Sequence, residues 1–143
     1  MKRKIIYIAS VAVMLFTITS CELETSGNGK LDGFWHLEKI DTIATGGICD
    51  LSEGNVFWAF QHKLLELNGY TTCLCRFSHA NGVLSVSEPY RYDRENGDEL
   101  LTEPTLLIPY GINSLEEDFS VEALSNSRMV LNSGDLRLHF TKF

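Results

Sequence analysis

Basic residues are scarce in this 143-residue chain: 12 Lys plus Arg stand against 19 Asp plus Glu, for a net charge of −7. Phosphate backbones are gripped by clustered Lys and Arg, so this balance argues against a nucleic-acid partner. Proline is scarcer still, at three residues, and 44% of the chain is hydrophobic, which rules out wholesale disorder. Beyond the first 20 residues there is no further long apolar run, so a polytopic helical membrane protein is excluded. No window carries a long amphipathic helical period. Recurrent catalytic spacings are missing too: there is no Gly-x-Ser-x-Gly, no Walker loop and no His-Glu-x-x-His. The four histidines, His36, His62, His79 and His139, are scattered. No catalytic residue and no cofactor is expected.

What is present begins with an address. Lys2-Arg3-Lys4 precedes a mostly apolar run, Ile5–Ile18, too short to span a bilayer comfortably and matched to a secretion signal. Ile18-Thr19-Ser20-Cys21 resembles the bacterial lipobox, in which small residues precede a Cys that becomes the lipid-bearing first residue. That resemblance implies cleavage after Ser20, a signal peptide over 1–20 and a lipid on Cys21. Several acyl chains on one residue give a stable membrane anchor. Glu22, where an Asp would favour inner-membrane retention, points to the outer membrane. Residues 21–30 read as a lipidated tether with no apolar period. Without the signal, nine Lys plus Arg face 19 acids, a net charge of −10.

The body, 31–143, reads as one domain punctuated by turns. Asn68-Gly69, Asn81-Gly82 and Asn96-Gly97 pair two residues that tolerate positive φ, as two-residue hairpin turns require. Strands are expected over Phe34–Asp41, Val56–Gln61, Leu64–Leu67, Tyr70–Ser78, Val83–Ser87, Tyr90–Asp93, Glu99–Thr102, Phe119–Leu124, Arg128–Asn132 and Leu136–Lys142. In the last, Leu136, Leu138 and Phe140 alternate with Arg137, His139 and Thr141, which sends the first set inward. Pro104–Ile112 reads as a crossing loop with one helical turn. Short strands with frequent turns indicate an all-β protein.

Three features then resemble a lipocalin-like lipoprotein of Gram-negative bacteria, a family of uncharacterised function. Gly33-Phe34-Trp35 is similar to the Gly-x-Trp that opens lipocalins. Tyr110-Gly111-Ile112 precedes the last three strands. The closing pattern runs from Val121 and Leu124 through Met129-Val130-Leu131 to Leu136–Lys142. The resemblance implies an antiparallel up-and-down β-barrel of about eight strands over 31–143. It would lack the C-terminal helix of lipocalins proper, because the sequence stops at Phe143. Barrels of that size either fill with side chains or enclose one small ligand.

Trp58, Phe60, Phe77, Leu138 and Phe140 are the candidate lining of such a pocket, and Trp35 a structural plug of one end. With Cys21 assigned to lipid, three thiols remain. Cys73 and Cys75 share a strand face with Phe77, and Cys49 could form a disulfide with Cys73 or Cys75. A metal site of Cys73, Cys75 and His79 fails on reach, since His79 lies ~13 Å from Cys75 along a strand. The acidic runs Asp98-Glu99 and Glu116-Glu117-Asp118 do not fit a calcium loop. The expected function is a membrane-anchored envelope barrel binding a small apolar or amphipathic ligand. The alternative is a solid-core barrel acting as a protein-interaction or inhibitor module, with loops Thr42–Glu53 and Glu103–Glu117 as its contact surfaces.

Overall fold

The computed structural model of the protein describes residues 28–143. The signal reading of 1–20, the lipid site Cys21 and residues 22–27 lie outside the described residues. Asn28, Gly29 and Lys30, assigned with them to the tether, form part of the folded body. Gly29–Leu31 is a 3-10 turn, and the Asn28 side chain donates to the His62 carbonyl at 2.6 Å.

Ten strands follow: β1 Gly33–Thr42, β2 Gly47–Asp50, β3 Phe57–Gln61, β4 Leu64–Asn68, β5 Cys73–Ala80, β6 Val83–Arg91, β7 Glu99–Leu100, β8 Glu117–Leu124, β9 Arg128–Asn132 and β10 Leu136–Lys142. All pairings are antiparallel. Around the wall the order is β1-β3-β4-β5-β6-β8-β9-β10, and β10 pairs back onto β1, so eight strands close the barrel. Closure satisfies the edge groups that an open sheet would leave unpaired. β2 and β7 are short additions: β2 pairs the second half of β1, and β7 pairs the end of β6.

Alternation does most of the sorting. Trp35 and Leu37 on β1, Trp58 and Phe60 on β3, Leu65 and Leu67 on β4, and Cys73, Cys75 and Phe77 on β5 point inward, with half-buried or exposed residues between them. Bulges reset the period where it would otherwise drift. The register of β1 against β10 slips between Leu37 and Lys39, leaving Glu38 as the extra residue. Beyond it the half-buried Ile40, rather than Lys39, packs on the core. A second slip falls where the sequence reads a break between two strands: β6 runs unbroken through Glu88-Pro89, with Glu88 at φ 49.

The turns are less uniform than three Asn-Gly pairs suggest. Asn81-Gly82 joins β5 to β6 with both residues at positive φ (54 and 74), the I′ geometry that matches strand twist. Asn68 ends β4 and Gly69 opens the connection to β5, while Asn96-Gly97 sits in the connection from β6 to β7. β2 goes unforeseen because Gly46-Gly47 reads as a turn alone; its four residues are all exposed.

The long connection from β7 to β8 folds across one end of the barrel. Ile108–Tyr110 form a 3-10 turn with Pro109 near its start, and Leu107, Tyr110 and Ile112 are buried in the core. The other end is closed by Leu31 and Trp35, whose indole N–H donates to the Leu31 carbonyl at 2.8 Å. The Lys142 ammonium lies 5.1 Å from the Trp35 ring centroid.

Candidate functional site

The five residues expected to line a pocket do meet inside the barrel, but they meet each other. Trp58 stands 5.1 Å from Phe140 and 6.2 Å from Phe60, and Phe60 stands edge-on to Phe77 at 4.9 Å. Phe119 of β8 completes the cluster at 5.8 Å from Trp58. Such offset and edge-on pairs add to the gain from burying the rings. Leu138 is buried beneath Gly111 of the end-closing loop. Trp58, Phe60, Leu138 and Phe140 are each at most 2% exposed. Burying a side chain of this class stabilises the fold by ~1.5–3 kcal/mol. The interior therefore carries a packed aromatic core where the sequence reading places a ligand.

The loop that closes this end adds residues the sequence reading did not place in the core. Tyr110 donates its hydroxyl to the Thr71 carbonyl at 2.9 Å and accepts from the Tyr70 amide at 2.9 Å. Its own carbonyl accepts the Trp58 indole N–H at 3.2 Å. Burial pushes the Tyr110 phenol up to about 12. Gly111 at φ 88 allows the chain to reverse directly over Leu138, whose Cδ2 lies 2.6 Å from where a Cβ would stand. The only local signal for this plug is that four apolar residues, Leu106, Leu107, Ile108 and Ile112, surround Pro109 and Tyr110. Within a proline-bearing loop they lack the period of a strand or helix.

The thiols depart from the expected disulfide. Cys73 and Cys75 do share an inward face, but both are buried and free, while Cys49 is free and exposed on β2. The reason is placement: Cys49 stands opposite Ile40 on the appended strand, whereas Cys73 and Cys75 stand opposite Leu67 and Leu65 in the wall. Burial raises the Cys75 thiol to about 12 and raises Cys73 as well. Among the described residues no three His, Cys, Asp or Glu side chains come together as a metal site.

The polar chemistry lies on the outer wall. His139 and Asp41 are joined at 2.8 Å, Thr141 donates to Glu38 at 2.8 Å, and Arg137 binds Glu122 through two contacts of 2.9 and 3.1 Å. Lys39 approaches Asp41 at 3.7 Å, close enough for attraction but not for a hydrogen bond. The His139 hydrogen bond, with help from Lys39 and Arg137, holds the Asp41 carboxyl below its ordinary value. A surface cleft of about 410 Å³ opens here, lined among others by Glu38, Lys39, Asp50, Arg128 and His139. Its charges are of both signs, and two of them, Lys39 and His139, approach Asp41 on the wall beside it.

Of the two loops expected to be contact surfaces, the structure separates them. Glu103–Glu117 carries Leu107, Tyr110 and Ile112 into the core and so acts as a plug. Thr42–Glu53 includes β2 and exposes Ile43 and Ile48, the latter by 68%.

Two solved structures share the fold. One is a lipocalin-like protein from Bacteroides uniformis, 22% identical, covering 80% of this chain and 100% of its own, with a TM-score of 0.61. The other is an uncharacterized protein from Bacteroides eggerthii, 16% identical, covering 79% of this chain and 99% of its own, with a TM-score of 0.59. No curated protein matches the chain. The family model of the lipocalin-like domain matches residues 14–143. Barrels of this size can hold one small ligand, a role the fold makes available without specifying it. With its eight closing strands, its Gly33-Phe34-Trp35 opening and a match over nearly its whole length, the chain belongs to the lipocalin-like domain family.

Proposed function

We propose that the protein is a lipid-anchored lipoprotein of the outer membrane, and that its barrel is a solid interaction module rather than a carrier. The observation that supports the module is the interior: Trp58, Phe60, Phe77, Phe119 and Phe140 pack against one another within it, and Tyr110 is buried at its end. Binding then falls to the outside, where the Thr42–Glu53 segment offers Ile48 on β2, which among the described residues pairs on one edge only, and exposed Ile43 in the turn before it. Unpaired strand edges and exposed apolar side chains are common protein-docking features. The anchor rests on the lipobox-like Ile18–Cys21 and the signal ahead of it.

Affinity capture from detergent-solubilised envelopes tests the module. One stoichiometric protein partner is expected, lost when Thr42–Glu53 is replaced by a short polar turn. Recovery of a bound small molecule instead, seen by native mass spectrometry, would overturn it. Cys21→Ala should release the protein from membranes washed in high salt, which screens any electrostatic contact; a variant that stays membrane-bound in high salt without lipid would refute the anchor.

A small apolar ligand inside the barrel is the second reading, favoured by one feature. The plug is a loop rather than a strand, joined to the wall by few hydrogen bonds, so its displacement would open the interior at Trp58.

A further inference from the structure

The two ends of the barrel differ in chemistry. At the end closed by Leu31 and Trp35, Phe34, Leu64, Val83 and Phe143 are all exposed. They lie at the start of β1, in the β3–β4 and β5–β6 hairpins and just past β10. The same rim carries the cations Lys30, Lys63 and Lys142. The Lys142 ammonium donates to the Lys30 carbonyl at 3.1 Å, and Asn28 ties this turn to the His62-Lys63 hairpin. A cleft of about 500 Å³, lined by His62, Lys63, Leu64 and Arg76, opens beside it. Asp32 is an acid on this rim, hydrogen-bonded by the Asn28 side chain at 2.8 Å. The opposite end, around the Tyr110 plug, is acidic: Asp93, Glu95, Asp98, Glu103, Glu116 and Asp135 sit in its connections. Exposed apolar side chains occur at both ends, Ile48 and Ile108 among those at the acidic one, but only at the Leu31–Trp35 end do they stand among clustered lysines.

That end is also where the chain enters the body, and the chain outside is short. Only six residues, 22–27, separate Cys21 from Asn28, a span of at most ~25 Å when fully extended. We propose that the Leu31–Trp35 rim is a membrane-docking face. Lys30, Lys63 and Lys142 meet anionic headgroups, while Phe34, Leu64 and Val83 enter the headgroup boundary. The inference rests on the lipid-anchor reading for its orientation. Aromatic and aliphatic side chains flanked by Lys are the composition that favours the interface. Anionic lipids attract basic groups that lie within a Debye length. The acidic end, with the free edge of β2 and the Thr42–Glu53 hairpin, would then face away from the bilayer.

The test uses the full lipidated chain in phosphatidylethanolamine vesicles with and without phosphatidylglycerol. A polarity-sensitive fluorophore is placed on Cys49, or on Leu64→Cys in a Cys49→Ser background, and a quencher is carried on the lipid. The label at 64 should be quenched and the label at 49 should not. Reversing Lys30→Glu or Lys63→Glu should weaken the docked population about fivefold each on phosphatidylglycerol vesicles, and added salt should mimic the reversal. Equal quenching at both positions, quenching only at 49, or indifference to charge reversal would overturn the docking face. The mass of the N-terminal peptide reports the lipid on Cys21 separately. Were that residue unmodified, the same labels on added vesicles would still decide whether the rim binds, because this surface does not require the acyl chains.

Discussion

The Trp58 indole donates to the carbonyl of Tyr110, 52 positions later, across 3.2 Å of buried interior. One bond ties the end-closing loop to β3 in the wall, and it joins two residues that are both fully buried. Trp58→Phe should keep most of the ring packing but leave that carbonyl unpaired. A loss of ~1–3 kcal/mol is expected, read from the denaturant midpoint at unchanged m-value.

Tyr110 should also impose an alkaline limit. Its folded phenol is raised to about 12 from an ordinary 10, so the folded state holds its proton where the unfolded state has lost it. Stability contributed this way is complete below pH 10 and falls as pH rises from 10 to 12. Tyr110→Phe should flatten that decline while lowering stability at neutral pH, because the Tyr70 amide loses its acceptor. A decline of unchanged slope in the variant would exclude Tyr110 as its source.

Gly111 and Gly134 both sit at positive φ, 88 and 95, but in different surroundings. A Cβ on Gly134 meets open space; one on Gly111 would stand 2.6 Å from Leu138. Gly134→Ala should cost ~1–2 kcal/mol from backbone strain. Gly111→Ala should exceed it, since the loop or Leu138 must also move. Thermal melts of the pair, equal within error, would show that the loop yields freely.

The thiols should react in two classes. Cys49 is exposed and should be alkylated in the native protein, whereas Cys73 and Cys75, buried and raised in pKa, should react only on unfolding. Peptide mass mapping after brief iodoacetamide treatment checks this. Modification of Cys75 at the rate of Cys49 would mean that the wall opens locally.

Asp41 should shape the acid limb. His139 is the main influence that lowers its carboxyl from the ordinary 3.8, so the folded state binds that proton less readily than the unfolded state. The resulting stability is present above pH ~4 and lost as pH falls through the lowered folded value. The pair is partly solvated, so the effect should stay under ~1 kcal/mol. Asp41→Asn should shrink the fall in stability below pH 4; an identical acid limb in both proteins would count against it.

Much of the wall is legible before folding because a strand's inside and outside differ by one residue. Leu136, Leu138 and Phe140 alternate with Arg137, His139 and Thr141, and β10 follows that register. The β5–β6 turn is legible because Asn81-Gly82 can adopt two successive positive φ values. β2 is hidden because a glycine pair says turn and its four residues, all exposed, carry no inside–outside alternation to read. The bulge at Glu38 is hidden for a related reason: the slip is imposed by β10, about a hundred residues away.

Local chemistry determined that this chain makes short alternating strands, turns tightly at Asn81-Gly82 and keeps its charge outside. Those properties depend on neighbours one or two residues apart. Which side chains meet inside the barrel depended on residues that approach only after closure, as Trp58, Phe119 and Phe140 do. The same is true of the Cys49 thiol kept apart from Cys73 and Cys75, and of the loop that carries Tyr110 into the core. Each turns on distances across the sheet, which a linear order of residues does not contain.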